Sequence, residues 1–390
     1  MTARPHHRVG WNLLWLVPGV VGGSEEYAIG LLRAWVREAR DLEDLELVLF
    51  VNERFAPSYP DLARELRCVV APVSGRSKAV RVAAESTWLA WRSRRERLSL
   101  LHHLGGTMPV VRTSPGIVTI HDLQPWVLPE NFHPVKRAYL RLTVPRSVQA
   151  AAAVVTLSAW VRDDVARRLG VPSSRITPVL PEVPPAPETS AVPSADVLRA
   201  YDLLDRPFLL YPAITYPHKN HLTLLRAFAL AVRSDPESVL VLTAGSGSSE
   251  RACRRLIQEL GIGRQVRRTG RIPVEHLDVL YREARALTFP SRYEGFGLPV
   301  IEAMVRGCPV LASDAAALPE VVGDGGELLE PDDVQAWAGA IRRVLDDEGF
   351  RAGLARRAST RAAALRRGDA PQRLAEVYRR AIAASARSAS

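Results

Sequence analysis

The chain has 390 residues, 47% of them hydrophobic and 24% charged, with 52 basic against 42 acidic side chains and a net charge of +10. That length is better served by two cores than one, and the balance favours anionic partners without choosing among nucleotides, acidic lipid surfaces and nucleic acid. Cys68, Cys253 and Cys308 are scattered in apolar surroundings with no paired or Cys/His spacing, which excludes a metal ribbon and predicts reduced core thiols. Arginine is the default cation here: only Lys78, Lys136 and Lys219 are lysines, so each lysine carries information.

The segment Trp11 to Val21 follows a basic start and resembles a secretion signal only superficially. Asn12 and Pro18 interrupt it and Glu25-Glu26 follow, so it reads as a core strand, Leu13 to Val17, and a glycine loop. No run approaches the roughly 18 apolar residues of a membrane span, which predicts a cytoplasmic protein and leaves a peripheral place at the inner face of the membrane open. Further strands are expected at Leu47 to Val51, Cys68 to Ala71, Ile117 to Ile120 and Val154 to Leu157, with amphipathic helices between them. That alternation is the pattern of a parallel sheet covered on both faces. Gly22-Gly23 falls where the first strand hands over to a helix, a position at which open α/β sheets place ligands, although any tight turn needs glycine there. Residues 76–98 read as one basic helix carrying Val80, Ala84, Trp88 and Trp91, either lying on an anionic membrane or packing its tryptophans inward. His121-Asp122 ends a strand, and Ser158 caps a helix that Gly170 stops.

Five prolines between Leu180 and Ser194 mark a boundary, after which the alternation repeats at Phe208 to Tyr211, Val239 to Thr243, Gln265 to Arg268, Ala286 to Phe289 and Pro309 to Ser313. Lys219 precedes the helix Leu222 to Val232 and suits a compact charge reaching a phosphate. Gly245 and Gly270-Arg271 follow strands of the same half. Between the strand at Ala286 to Phe289 and a helix opened by Pro299 lies a loop holding Glu294, Gly295, Phe296 and Gly297, with Glu302 in the helix. Glycines and a helix start suit a phosphate, and two carboxylates beside it suit sugar hydroxyls; an ordinary strand-turn-helix with a solvated Glu294 fits the same spacing. Beyond Glu330 the chain reads as helical with Asp332 as a cap. Its arginine-rich end lacks the aromatics and motifs of nucleic-acid binding.

Taken together, Gly22-Gly23, Thr119 to Asp122, Thr156 to Ser158, Pro217 to Asn220, Gly270-Arg271 and Ser291 to Glu302 resemble the retaining glycosyltransferases of family 4, over nearly the whole chain. The resemblance implies an α/β protein of GT-B fold, two Rossmann-like domains facing across a cleft. Residues 1–180 would bind the acceptor, 181–200 would be a Pro-rich linker, 201–370 would bind the nucleotide sugar, and a final helix in 371–390, about Pro371 to Ala384, would pack back on the first domain.

By the same resemblance His121, Lys219 and Glu294 are the catalytic set. Gly22, Gly23, Gly245, Gly270, Arg271, Arg292, Gly295, Phe296, Gly297, Leu298 and Glu302 bind the donor, with Glu302 on the ribose and Glu294 facing the transferred sugar. No metal and no cofactor beyond the nucleotide diphosphate sugar are implied. Many relatives carry an arginine shortly before the motif lysine, where this chain has Ala213, Ile214 and Thr215, so the second cation is either absent or supplied elsewhere, by Arg292 or His218. The Tyr216 to Asn220 version is similar to mannosyltransferases of polysaccharide assembly, which implies GDP-mannose and a glycan, lipid-linked or small-molecule acceptor; the residues themselves leave an anionic membrane surface open as a partner through 76–98 and give no sign of nucleic acid. A nucleotide-sugar epimerase and a non-catalytic binding module of the same fold are the alternatives.

Overall fold

The computed structural model describes residues 6–20, 22–183, 186, 190–366 and 368–389. The chain divides into two compact units, residues 1–182 with 368–390, and residues 183–367.

The first unit holds seven parallel strands: β1 (His7–Leu13), β2 (Leu45–Val51), β3 (Arg67–Val70), β4 (Leu100–His103), β5 (Gly116–Ile120), β6 (Ala153–Thr156) and β7 (Ile176–Pro178), in the spatial order β3-β2-β1-β4-β5-β6-β7. Central strands such as β5 are buried along their whole length, which is why they read as unbroken apolar runs. The first strand is a correction: β1 ends at Leu13, and the expected strand Leu13 to Val17 is a buried loop leaving its carboxyl end. Gly10 hides β1 from an apolar-run reading, and packing requires that glycine, since a Cβ there would lie 2.5 Å from Leu98 Cδ1 and 2.9 Å from Phe50 Cε2. Strand order reverses between β1 and β4, so the loops after β1, β4 and β5 bound the crevice where such sheets bind ligands.

Residues 76–98 are also corrected. They form two helices, Lys78–Ser86 and Trp88–Arg95, broken at Thr87. Trp88 turns inward onto Phe50, with ring centroids 6.2 Å apart, whereas Trp91 is about half exposed. The last helix, Ala370–Ala389, belongs to the first unit. Arg379 forks onto Asp44 at 2.6 and 2.8 Å, and the Tyr378 hydroxyl lies 2.7 Å from His102 Nδ1 in β4.

The second unit holds β8 (Phe208–Pro212), β9 (Val239–Thr243), β10 (Val266–Gly270), β11 (Ala286–Phe289), β12 (Val310–Ser313) and β13 (Glu327–Leu329), all parallel, in the order β10-β9-β8-β11-β12-β13. Its reversal lies between β8 and β11, which places the loops 213–220 and 290–297 side by side. Pro184, Pro185 and Pro187 of the expected linker lie outside the described residues, and its end, Ser194–Ala200, is a helix of this unit. Asp333 rather than Asp332 caps the helix Val334–Asp346, accepting from the amides of Gln335 and Ala336 at 3.0 Å.

Candidate functional site

In the second unit the crevice is assembled by bonds between its two loops. Tyr211, fully buried at the end of β8, donates its hydroxyl to the carbonyl of Lys219 at 2.5 Å and lies 3.3 Å from Ser291 Oγ on the opposite loop. The amide of Arg292 donates to the carbonyl of His218 at 2.8 Å. Asn220 adopts a left-handed conformation, φ 58°, and its amide donates to the carbonyl of Pro331 at 2.7 Å. These ties bring Lys219 Nζ to 2.6 Å from Glu294 Oε1 and 5.6 Å from the centre of the Phe289 ring. Both side chains are largely buried, so the pair is shielded from screening.

Beyond Glu294 the loop carries the buried Phe296 and then Gly297 at φ 101°, where a Cβ would lie 2.7 Å from Leu318 Cδ2. Only glycine meets both demands. The helix Leu298–Val305 that follows has no side-chain cap, and this open start is the anion-accepting end of its dipole. Glu302 sits in that helix, partly buried. Tyr281 donates to its Oε2 at 2.9 Å, leaving Oε1 for another donor. Burial raises the Glu302 carboxyl above its ordinary range, and the Tyr281 hydroxyl partly offsets this.

The expectation that His218 or Arg292 supplies a second cation is corrected. Burial, with Lys219 beside it, pushes His218 down to about 4, so it is neutral at neutral pH. Arg292 is forked onto Asp332, at 2.6 Å from Nη2, and donates to the carbonyl of Pro217 at 3.2 Å, which makes it a strut between loops. Thr215 accepts from the Gly247 amide at 2.7 Å and donates to Glu250 at 3.1 Å. Gly245 and Gly270-Arg271 meet at the ends of β9 and β10: the Arg271 Nε lies 4.0 Å from where a Gly245 Cβ would stand. Tyr211, Tyr281, Asp332 and Glu250 are absent from the sequence-derived set of site residues, because Lys219, Glu302, Asn220 and Thr215, which they bind, lie 8 to 112 residues away and no spacing signals them.

In the first unit's crevice the histidine is uncharged by contrast. Gly22, φ 73°, precedes the helix Gly23–Arg37, and the Glu25 carboxylate accepts from the Gly19 amide at 2.9 Å and from the Tyr59 hydroxyl, which pins the loop. His121 Nε2 lies 2.7 Å from the carbonyl of Leu104, which can only accept, so that nitrogen carries the proton. Burial pushes His121 down to about 4, leaving a neutral ring whose Nδ1 is a buried acceptor with no hydrogen-bond partner. Tyr27 and Trp15 hold the ring edge-on at 5.5 and 6.1 Å. Among the described residues, no group of three or more His, Cys, Asp or Glu side chains is arranged to hold a metal ion.

Residues 21–184 match the family described as Glycosyltransferase Family 4, and residues 200–362 match Glycosyl transferases group 1. The chain is similar to O-antigen chain mannosyltransferase B of Escherichia coli, 32% identical over 62% of this chain and 64% of that protein, so the match spans less than two thirds of that relative. It is also similar to O-antigen chain mannosyltransferase RfbU of Salmonella typhimurium, 26% identical over 83% of this chain and 87% of that one. Among solved structures it shares its fold with Anabaena Alr3699/HepE in complex with UDP and glucose, with a TM-score of 0.74 at 19% identity, covering 95% of this chain and 99% of that one. Two matched profiles in order, two parallel-sheet units and the assembled Lys219–Glu294 loops agree, and the chain belongs to the glycosyltransferases of family 4, with the GT-B fold.

Proposed function

We propose that the chain is a retaining, metal-independent hexosyltransferase that moves mannose from GDP-mannose to a glycan, lipid-linked or small-molecule acceptor in polysaccharide assembly. The observation that carries this reading is the Lys219–Glu294 pair at 2.6 Å beside an uncapped helix start. An ammonium has three donors, so Lys219 can keep Glu294 on one and turn the others to a diphosphate. The helix Leu298–Val305 adds its dipole, and Gly295, Phe296, Gly297 and Leu298 present backbone to the sugar and diphosphate. Glu302 accepts the ribose hydroxyls through the oxygen Tyr281 leaves open. Gly245, Gly270 and Arg271 border the same crevice, Gly22 and Gly23 offer amides to the diphosphate, and Arg292 holds the Lys219 loop in place. His121 accepts a hydroxyl of the transferred sugar through Nδ1.

In the transfer step the bond from the anomeric carbon to the diphosphate oxygen breaks while the acceptor oxygen bonds to the same face. The acceptor's proton passes to the departing phosphate oxygen, and Lys219 and the helix start stabilise the remaining charge. A carboxylate bound tightly to an ammonium is a poor nucleophile, which favours this course over a covalent sugar on Glu294. Mannose is favoured by the names of the two curated relatives and by Tyr216 to Asn220. The test is incubation with a panel of nucleotide sugars and a soluble glycan acceptor, with a metal chelator present. Turnover of GDP-mannose with the anomeric configuration kept is expected. Absence of turnover with every donor, or full activity after Glu302→Ala, would overturn the reading.

A further inference from the structure

We infer that Tyr378, in the last helix, and His102, in β4, are positioning residues for His121: a buried chain of hydrogen bonds, Tyr378 to His102 to Thr119, fixes the strand ends that hold the His121 ring. The inference rests on the reading that His121 accepts a hydroxyl of the transferred sugar. The helix Ala370–Ala389 is docked by other contacts as well. The Ala370 amide donates to Glu182 Oε1 and Gln372 Nε2 donates to Glu38 Oε2, both at 3.3 Å, and Arg379 forks onto Asp44. Tyr378 goes further than docking requires. It is fully buried, its ring 5.9 Å from that of Trp35 and 5.7 Å from that of His102, and its hydroxyl reaches His102 Nδ1 at 2.7 Å. His102 Nε2 in turn lies 2.8 Å from Thr119 Oγ1 in β5, and both residues are completely buried. Apolar side chains of similar size would fill this space without leaving polar groups that must all be satisfied.

The chain sits one step before His121 on both strands. Thr119 and His121 are two residues apart where β5 runs out, so they share a face. His102 and Leu104 stand in the same relation at the end of β4, and the Leu104 carbonyl accepts from His121 Nε2 at 2.7 Å. The backbone pairing of these strands runs from Leu101 with Gly116 to His103 with Val118 and then stops. Beyond it the His102–Thr119 bond carries the pairing on, next to the bond between Leu104 and His121. Thr119 also serves the hydroxyl of Tyr27, whose ring stands edge-on to His121 at 5.5 Å. Two supports of the His121 ring, the Leu104 carbonyl and Tyr27, are thereby tied to the His102–Thr119 bond.

The donors in this chain run in one direction. Tyr27 donates to the carbonyl of Val179 at 3.4 Å, which can only accept, so the Thr119 hydroxyl is the donor to Tyr27. A threonine has a single hydroxyl hydrogen, so His102 Nε2 must donate to Thr119, and Tyr378 must donate to Nδ1. Burial, with His103 and His121 nearby, holds His102 well below the ordinary histidine range, which agrees with a ring carrying one proton. Tyr378 thus selects the His102 tautomer that can hold Thr119. Without its hydroxyl the buried Nδ1 has no donor, and the ring is free to turn or to move its proton.

The experiment compares Tyr378→Phe, Thr119→Val, Thr119→Ser and Arg379→Ala in the full chain by single-turnover transfer to a soluble acceptor, by calorimetric binding of GDP-mannose and by NMR of the histidine ring nitrogens. Tyr378→Phe and Thr119→Val should each slow transfer about fivefold with donor affinity within about twofold of wild type. Thr119→Ser, which keeps the hydroxyl, should restore the rate. Arg379→Ala loosens the same helix without touching the chain of bonds, and should transfer as wild type below its melting temperature. In a His121→Ala background Tyr378→Phe should slow transfer no further, whereas a merely structural role would add its loss to the first. The His121 ring signals should shift in Tyr378→Phe, and His102 should carry its proton on Nε2 in the wild type. If Tyr378→Phe does not fold, the Thr119→Val and Thr119→Ser pair decides. Wild-type transfer by Tyr378→Phe, additive losses in the double variant, an equal loss in Arg379→Ala or unshifted His121 signals would overturn the proposal. The two readings fail separately. Full turnover by His121→Ala, or no transfer from any donor, would count against the transferase reading, and the NMR shifts would still decide whether Tyr378 and His102 position His121.

Discussion

The two crevices are built at the same place in similar sheets and yet differ in chemistry. In the second unit, loops after β8 and β11 are tied by Tyr211, Asn220 and Arg292, and they present a preassembled ion pair, Lys219 and Glu294. In the first unit, loops after β1 and β5 present a neutral histidine, an unoccupied acceptor nitrogen and aromatic edges. A fixed charged site suits a diphosphate, whose charge grows on departure, because preorganised charge needs no rearrangement at that moment. An uncharged histidine among aromatic edges suits hydroxyls of a sugar. The topology supplies the location in both units, and the side chains make their chemistry differ.

The comparison breaks most readily at Lys219. Lys219→Ala should lower kcat/KM by about a hundredfold to a thousandfold, the scale of removing one electrostatic stabiliser, and Lys219→Arg should recover part of it. Steady-state kinetics with varied donor checks this, and a loss below about threefold would place the diphosphate elsewhere. Tyr211→Phe tests whether preassembly matters. It leaves the Lys219 carbonyl without its buried donor, so the protein should lose about 1–3 kcal/mol by denaturant titration and also lose turnover. Stability lost with turnover intact would mean the tie is structural only.

His121→Ala should cost about tenfold in turnover, the value of one neutral hydrogen bond, and activity should be flat across neutral pH, since the ring protonates only near 4. Activity that falls as pH drops through the ordinary histidine range would contradict a neutral His121. The smallest effect lies away from the site. Burial raises the Glu85 carboxyl from its ordinary value of 4.5 to about 7. The folded chain therefore holds that proton more tightly than the unfolded chain. The stabilisation is complete below the unfolded value and is lost as pH rises through about 7. Glu85→Gln should then raise stability by about 1–2 kcal/mol at mildly alkaline pH and change little in acid, read from melting curves at both.

Strands β9 and β11 match their sequence-derived bounds because each is a short, fully buried run of β-favouring residues, a signal that is local. The cap Ser158, accepting from the Val161 amide at 3.1 Å, and the left-handed stop Gly170 were equally legible, since both act within one turn. β4 was not: Leu100-Leu101 run directly into His102-His103, and two buried histidines read as polar until Thr119, Tyr378 and Asn12 satisfy them. Asp332 was misplaced as a cap because Arg292, distant in sequence, captures it. In the site the motif residues could be named from the sequence, while Tyr211 and Tyr281, which hold them, could not. Tertiary partners carry no periodicity.

The central claim is that Glu302 serves donor affinity and Glu294 serves the chemical step. Calorimetric donor binding with single-turnover rates on Glu302→Ala and Glu294→Ala tests it most directly. Glu302→Ala should weaken donor binding by about tenfold or more with a near-normal rate at saturation. Glu294→Ala should bind donor within about threefold of wild type and turn over about a hundredfold more slowly. Equal losses at both positions, confined to affinity, would contradict the division.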